Sequence, residues 1–179
     1  YIFLFIMKLA ILTFNQKKNK PLSPGTAILF ERAKELKHDI ELVSVYDLQI
    51  HYSKKTKVYY KNKPLEKFDA IIVRPTFNHD PSIYSALIRQ LELNNYLVIN
   101  GYLGIHRAKN KIRTLQLLNH FKLPMPKTVI LFGKEHLKTS LEKFTFPVIV
   151  KTVYGSGGSG VFICESKRSV QPIVEYLLE

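Results

Sequence analysis

Tryptophan is absent and cysteine occurs once, as Cys164, in a chain of 179 residues. A lone thiol rules out an internal disulfide framework and fits a reducing compartment, so a cytoplasmic protein is the expectation. Acids are scarce as well: 14 Asp and Glu stand against 27 Lys and Arg, a formal charge of +13. That surplus selects anionic partners, among them nucleotide phosphates, nucleic acid and acidic peptides, without choosing among them. Arginine is rare within the cationic set, 6 against 21 lysines, whereas readers of phosphate backbones often use the forked guanidinium too. Long apolar runs are also missing. The opening Tyr1–Ile6 meets Lys8 too early for a membrane span and has no basic region before it, so neither a signal peptide nor an anchor is expected. A first strand starts after Met7, and residues 1–6 read as an upstream extension.

What the chain does have is a core's worth of apolar residues, 46% against 23% charged, and a steady alternation of hydrophobic with amphipathic runs. That alternation is the signature of an α/β fold. A strand near Leu9–Thr13 is followed by a polar loop, Asn15–Leu22, and by a helix that Ser23-Pro24 caps and that runs to about Lys37. Ile40–Val45 reads as the second strand. His51–Pro64 alternates Lys with Tyr, contains no acid, and reads as an exposed hairpin or loop. Ala70–Val73 is fully apolar, as strands of a parallel sheet covered on both faces are. Pro81-Ser82 opens a helix to about Leu93, and Leu97–Ile99 is a fourth strand. Residues 7–103 thus form a parallel-sheet βαβ domain.

From Gly104 the pattern changes. Ile105–Phe121 reads as one basic helix, stopped at Leu123-Pro124-Met125-Pro126. A strand Thr128–Phe132, a helix Lys134–Phe144, a strand Pro147–Thr152, a glycine-rich loop, a strand Val161–Cys164 and a helix Ser169–Leu178 follow. The last 30 residues hold only Glu165, Glu175 and Glu179 as acids. Residues 104–179 read as a second α+β domain interrupted in mid-construction, and the chain is expected to be part of a longer one.

The loop concentrates the chemistry. Four of the chain's 8 glycines fall within Gly155-Ser156-Gly157-Gly158-Ser159-Gly160, directly after Lys151. Glycine turns the backbone at positive φ and lets N–H groups approach a ligand, which is what a phosphate cradle needs. The string satisfies G-x-G-x-x-G, but that dinucleotide fingerprint must open a helix, and Val161-Phe162-Ile163 is a strand. A Walker loop needs Lys-Ser/Thr after its last glycine, and kinase and nucleophile-elbow signatures are equally missing. Cys164 has no evident His partner and reads as a small buried apolar residue. No catalytic residue and no metal ligand is assigned from the sequence.

A strand ending in Lys, a glycine-rich loop and a returning strand, preceded by the helix Arg107–Leu118 and by Leu123–Thr128, resembles the ATP-grasp superfamily, and within it the RimK-like glutamate ligases. The resemblance extends to Phe68–Pro75 and covers nearly everything after Met7. It implies a pre-ATP-grasp domain followed by the first subdomain of an ATP-grasp domain. It implies that Lys111 and Lys151 contact ATP, and that Gly155, Ser156, Gly157, Gly158, Ser159 and Gly160 form the flap over the phosphates. Arg74, ending an apolar strand where open α/β sheets place ligands, is a candidate for the acidic substrate or acceptor. The implied reaction is ATP-dependent carboxylate–amine ligation through an acyl phosphate, adding glutamate or a similar amino acid to an acceptor such as a ribosomal-protein C-terminus. Mg²⁺ is implied between the phosphates, with ligands in a second subdomain outside these residues, so this chain alone is expected to be inactive. Two other readings stand beside it. One is a non-catalytic nucleotide-binding remnant; the other is a nucleic-acid-binding module using Lys54, Lys55, Lys57, Lys61 and Lys63 with Tyr52, Tyr59 and Tyr60.

Overall fold

A computed structural model describes residues 5–14, 21–76 and 82–178. The described residues fall into two compact units, one ending at His106 and the other starting at Arg107. Residues 15–20 of the expected polar loop, and Pro81 of the expected helix start, lie outside the described residues.

The first unit is built on a four-stranded parallel sheet. Its strands are β1 (Lys8–Thr13), β2 (Asp39–Ser44), β6 (Ala70–Val73) and β7 (Val98–Ile99), in the order β2-β1-β6-β7. β1 sits inside the sheet, with Leu9 opposite Ile40 on one side and Ala70 on the other. Ala10, Ile11 and Leu12 are accordingly wholly buried, the near-continuous apolar run of a strand covered on both faces. β2 lies at the sheet's edge, and its exposed Asp39 and Glu41 are the charges that discourage pairing with another chain. Helix α1 (Pro24–Glu35) follows β1 and helix α2 (Ser82–Leu93) precedes β7. α1 starts with Pro at its first turn, but the Ser23 hydroxyl pairs with Thr26 Oγ1 at 2.8 Å and caps no backbone N–H. α2 sends Ile88 and Leu91 into a core that also contains Leu12, Phe68 and Val73.

The acid-free stretch between β2 and β6 is a three-stranded antiparallel sheet, β3 (Leu48–His51), β4 (Lys57–Tyr60) and β5 (Lys63–Pro64). Leu48, Val58 and Tyr60 turn inward to the same core. Lys61 and Asn62 join β4 to β5 with φ of 49° and 65°, the double positive φ of a two-residue I′ hairpin.

The second unit contains α4 (Lys111–His120), α5 (Leu137–Leu141), the antiparallel pair β8 (Val148–Lys151) and β9 (Val161–Cys164), and α6 (Lys167–Leu178); α3 (Tyr102–Ala108) runs across the junction between the units. Val148 and Val150, opposite Cys164 and Phe162, share one face of the hairpin. That face meets Leu137, Leu141, Val170 and Val174 in a second core, where Cys164 is fully buried as an apolar filler. No helix among the described residues is long and apolar enough to cross a membrane.

Three local expectations change. The helix expected over Ile105–Phe121 is two helices, α3 and α4, because Asn110 adopts an extended conformation and caps α4 with its side chain; a short polar side chain that bonds nearby N–H groups competes with helix continuation. Thr128–Phe132 pairs with no strand among the described residues, since the sheet of this unit has only two strands. The helix expected over Lys134–Phe144 shortens to one 3₁₀ turn, Lys134–His136, followed by α5.

Ile88, with no exposed surface, and Ile28, 69% exposed on α1, make a matched pair for stability. Urea unfolding of Ile88→Ala is expected to show a loss of about 2–5 kcal/mol, from lost transfer energy plus the cavity. Ile28→Ala is expected to change stability by no more than about 0.5 kcal/mol.

Candidate functional site

α4 begins against the loop that joins β8 to β9. The Asn110 side chain accepts hydrogen bonds from the N–H groups of Ile112 and Arg113, at 2.9 and 3.1 Å. Its amide nitrogen donates in turn to the Tyr154 hydroxyl at 3.3 Å. The N–H of Lys111, at the first position of α4, donates to the Val153 carbonyl at 3.1 Å, and Lys111 Nζ reaches the Gly155 carbonyl at 3.4 Å. Two segments more than 40 residues apart are thereby locked together, and Lys111 is held beside the end of β8, where Lys151 stands.

Both ammonium groups line one cleft of about 730 Å³, together with Leu115, Thr128, Ile149 and Val161. Burial, and secondarily the Lys151 charge, push the Lys111 amine below its ordinary value, because a cation near a second cation and short of water is disfavoured. The first turn of α4 contains no acid and carries Lys111 and Arg113 at the helix's positive end, the reverse of the usual arrangement. The potential at this end of the cleft is positive by construction.

The glycine loop has two kinds of position. The Gly160 carbonyl accepts from the Thr152 N–H at 3.0 Å, and with φ at 70° a Cβ on Gly160 would run into the Thr152 side chain. A Cβ on Gly155, at φ 122°, would stand 2.9 Å from the Ser159 carbonyl oxygen. These two glycines are required by close packing at the base of the loop. Gly157 and Gly158, with φ of 62° and 83°, have nothing within 4 Å of a Cβ. They form the tip, closed by the Ser159 N–H donating to the Ser156 carbonyl at 3.2 Å, and their own N–H groups make no hydrogen bond among the described residues. A tip of open backbone donors above two lysines can take a polyphosphate.

Of the residues singled out from the sequence, Lys111, Lys151 and the six loop positions lie together in the second unit. Arg74 lies in the first. It follows β6 directly, at the carboxyl end where the sheet's connections diverge from β1 to β2 on one side and to β6 on the other, and its N–H donates to the Leu12 carbonyl. Its guanidinium rests against Gly25, where a Cβ would stand 2.7 Å from Nη2 and push it aside. Sequence reasoning missed Asn110, Tyr154 and Thr152. An Asn inside a helical pattern, one residue before a basic turn, was the available signal for the first; the other two act through loop geometry that no spacing announces.

Comparison with known proteins agrees with this architecture. The solved RimK-domain ATP-grasp protein of Sphaerobacter thermophilus superposes with a TM-score of 0.69 at 20% identity, over 94% of this chain and 58% of that one. The D-Ala:D-Ser ligase VanG of Enterococcus faecalis superposes with the same score at 17% identity, over 97% and 60%. The fold is therefore that of ATP-grasp proteins. Residues 7–105 match the RimK PreATP-grasp domain and residues 108–179 the RimK-like ATP-grasp domain, so the chain belongs to the RimK-like ATP-grasp family. A probable alpha-L-glutamate ligase of Marinomonas sp. (strain MWYL1) is 31% identical over 172 residues, and one of Stutzerimonas stutzeri 27%. The chain spans 55% of the length of each.

Two outcomes follow from the tether and the lysine pair. Asn110→Ala is expected to lower stability by about 0.5–2 kcal/mol, the cost of a lost cap, measured by thermal or urea unfolding. In Lys151→Ala the Lys111 amine, relieved of its neighbour's charge, is expected to acetylate more slowly at pH 9 than in the parent chain, read by peptide mass spectrometry.

Proposed function

We propose that these residues are the nucleotide-holding portion of an ATP-dependent carboxylate–amine ligase that acts in the cytoplasm. It would join glutamate or a similar amino acid to an acceptor such as the C-terminus of a ribosomal protein. The observation that carries the reading is that Lys111 and Lys151 line one cleft and that the loop leaving this cleft after Val153, whose Gly155 carbonyl Lys111 Nζ meets at 3.4 Å, ends in a tip with uncommitted N–H groups. Lys111 and Lys151 neutralise phosphate charge, and the tip at Gly157 and Gly158 closes over it and keeps water out. Apolar neighbours such as Leu115 and Ile149 suit the flat, uncharged base of a nucleotide. The relatives' name, alpha-L-glutamate ligase, supports glutamate as the amino acid. Arg74 offers a fork of donors matched to a carboxylate and is assigned to the acidic substrate or acceptor.

Mg²⁺ in such a reaction supplies charge neutralisation between the β- and γ-phosphates. Among the described residues no three His, Cys, Asp or Glu cluster to hold a metal, so the residues present fit the nucleotide and not the ion. We assign the metal ligands to the portion of the relatives' length that this chain does not span, and with them the chemical step. On this reading the 179 residues bind nucleotide without turning it over.

Calorimetric titration of ATP into the chain tests this directly. Saturable binding is expected, weakened at least about tenfold by Lys151→Ala, equivalent to about 1.4 kcal/mol. Absence of saturable binding, or equal affinity in the variant, would refute the assignment of the cleft.

A further inference from the structure

The nucleotide cleft uses none of the cations of the β3–β4–β5 sheet, which lies in the first unit. From Leu48 to Leu65 the chain has no acid and has lysines at 54, 55, 57, 61 and 63. None of the five joins an ion pair among the described residues, whereas Lys8, Arg32, Lys34 and Arg89 all do. With its other face on the core, the sheet turns Gln49, His51, Lys57 and Tyr59 to the opposite side, since Gln49 stands opposite Tyr59 and His51 opposite Lys57.

Aromatic groups on this surface are held in place. The His51 and Tyr59 rings lie 4.5 Å apart. Tyr52, just beyond the end of β3, is 74% exposed and leans instead toward α2, its hydroxyl donating to Gln90 Oε1 at 3.2 Å. Gln49 donates to the Asn62 side chain at 2.8 Å, which ties the I′ turn carrying Lys61 to β3. Lys61 feels the charges of Asp47 and Glu41, and Lys63 that of Glu66, so the surplus rests on Lys54, Lys55 and Lys57, and an ordinary solvated hairpin needs no such surplus beside ring faces held in water.

We infer that this sheet is a binding surface for single-stranded nucleic acid, with Lys57 of β4 and Lys54 and Lys55 of the β3–β4 turn contacting phosphates and the ring faces of His51 and Tyr59 stacking on bases. Charge alone would serve an acidic peptide equally. The pinned rings favour nucleic acid, because every base offers a π-face to stack on and a carboxylate chain offers none. Lysines without arginine give point charges rather than forks, so the surface reads backbone and stacking rather than sequence.

The test is fluorescence anisotropy of the 179-residue chain with labelled U15 RNA and dT15 DNA across a salt series. Both oligonucleotides are expected to bind within a few-fold of each other, with log K falling against log salt at a slope of about −2 to −3, from roughly 0.7 per phosphate neutralised on a single strand. Lys55→Glu combined with Lys57→Glu is expected to weaken binding by more than tenfold. Tyr59→Ala should weaken it by roughly tenfold. Lys138→Glu combined with Lys143→Glu, in the second unit, should leave it within twofold. In the parent chain, bound U15 is expected to protect Lys54, Lys55 and Lys57 from acetylation and to leave Lys138 unprotected, a readout independent of how any variant folds. An equal loss in the Lys138/Lys143 control, or no selective protection, would show attraction by net charge alone and overturn the proposal. Displacement of U15 by polyglutamate with Tyr59→Ala unaffected would overturn it in favour of an acidic-peptide surface.

Discussion

Everything that can be said about the cleft rests on the seam between the start of α4 and the β8–β9 loop. Lys111 donates its backbone N–H to Val153, and Asn110 bonds Tyr154 while capping the helix. Each bond is worth only about 0.5–1.5 kcal/mol net. Their importance is geometric: they seat the positive end of a helix and the end of a strand on one wall, so that two lysines which repel each other share a space neither would choose alone. The Lys111 amine is lowered first by burial and second by the charge of Lys151, so both the depth of the cleft and the crowding of cations weigh on it.

The loop above the lysines divides the same labour differently. Its base is crowded, because the Ser159 carbonyl stands where a side chain on Gly155 would go and Thr152 where one on Gly160 would go. Its tip is open, since nothing lies within 4 Å of a Cβ on Gly157 or Gly158, and glycine there leaves the backbone N–H groups accessible without a Cβ in between.

Much of the fold was legible because buried parallel strands are simple to read: β1 and β6 are apolar without interruption, and the residues of β8 and β9 alternate around a glycine-rich turn. The glycine loop and the Lys151 before it stood out by residue type and order, and Lys111 through the resemblance of its helix to the ATP-grasp family. What escaped was set by tertiary context. Asn110 bonds locally to the N–H groups of Ile112 and Arg113, but its further bond to Tyr154, 44 residues away, belongs to the assembled chain. Thr128–Phe132 has strand composition but no neighbour to pair with among the described residues, and β propensity expresses packing on neighbours more than a preference of the backbone. Which carbonyl a lysine amine faces, and how crowded a glycine is, are properties of the assembled chain alone.

Cys164 gives the molecule a property that its packing role does not require. It is the chain's one thiol, it has no exposed surface, and it belongs wholly to the core beneath β8 and β9. A thiol reagent can reach it only when that core opens. The chain therefore carries its own clock for the core of the second unit, and the rate of its labelling in the presence of a small molecule measures how firmly that molecule holds the hairpin shut.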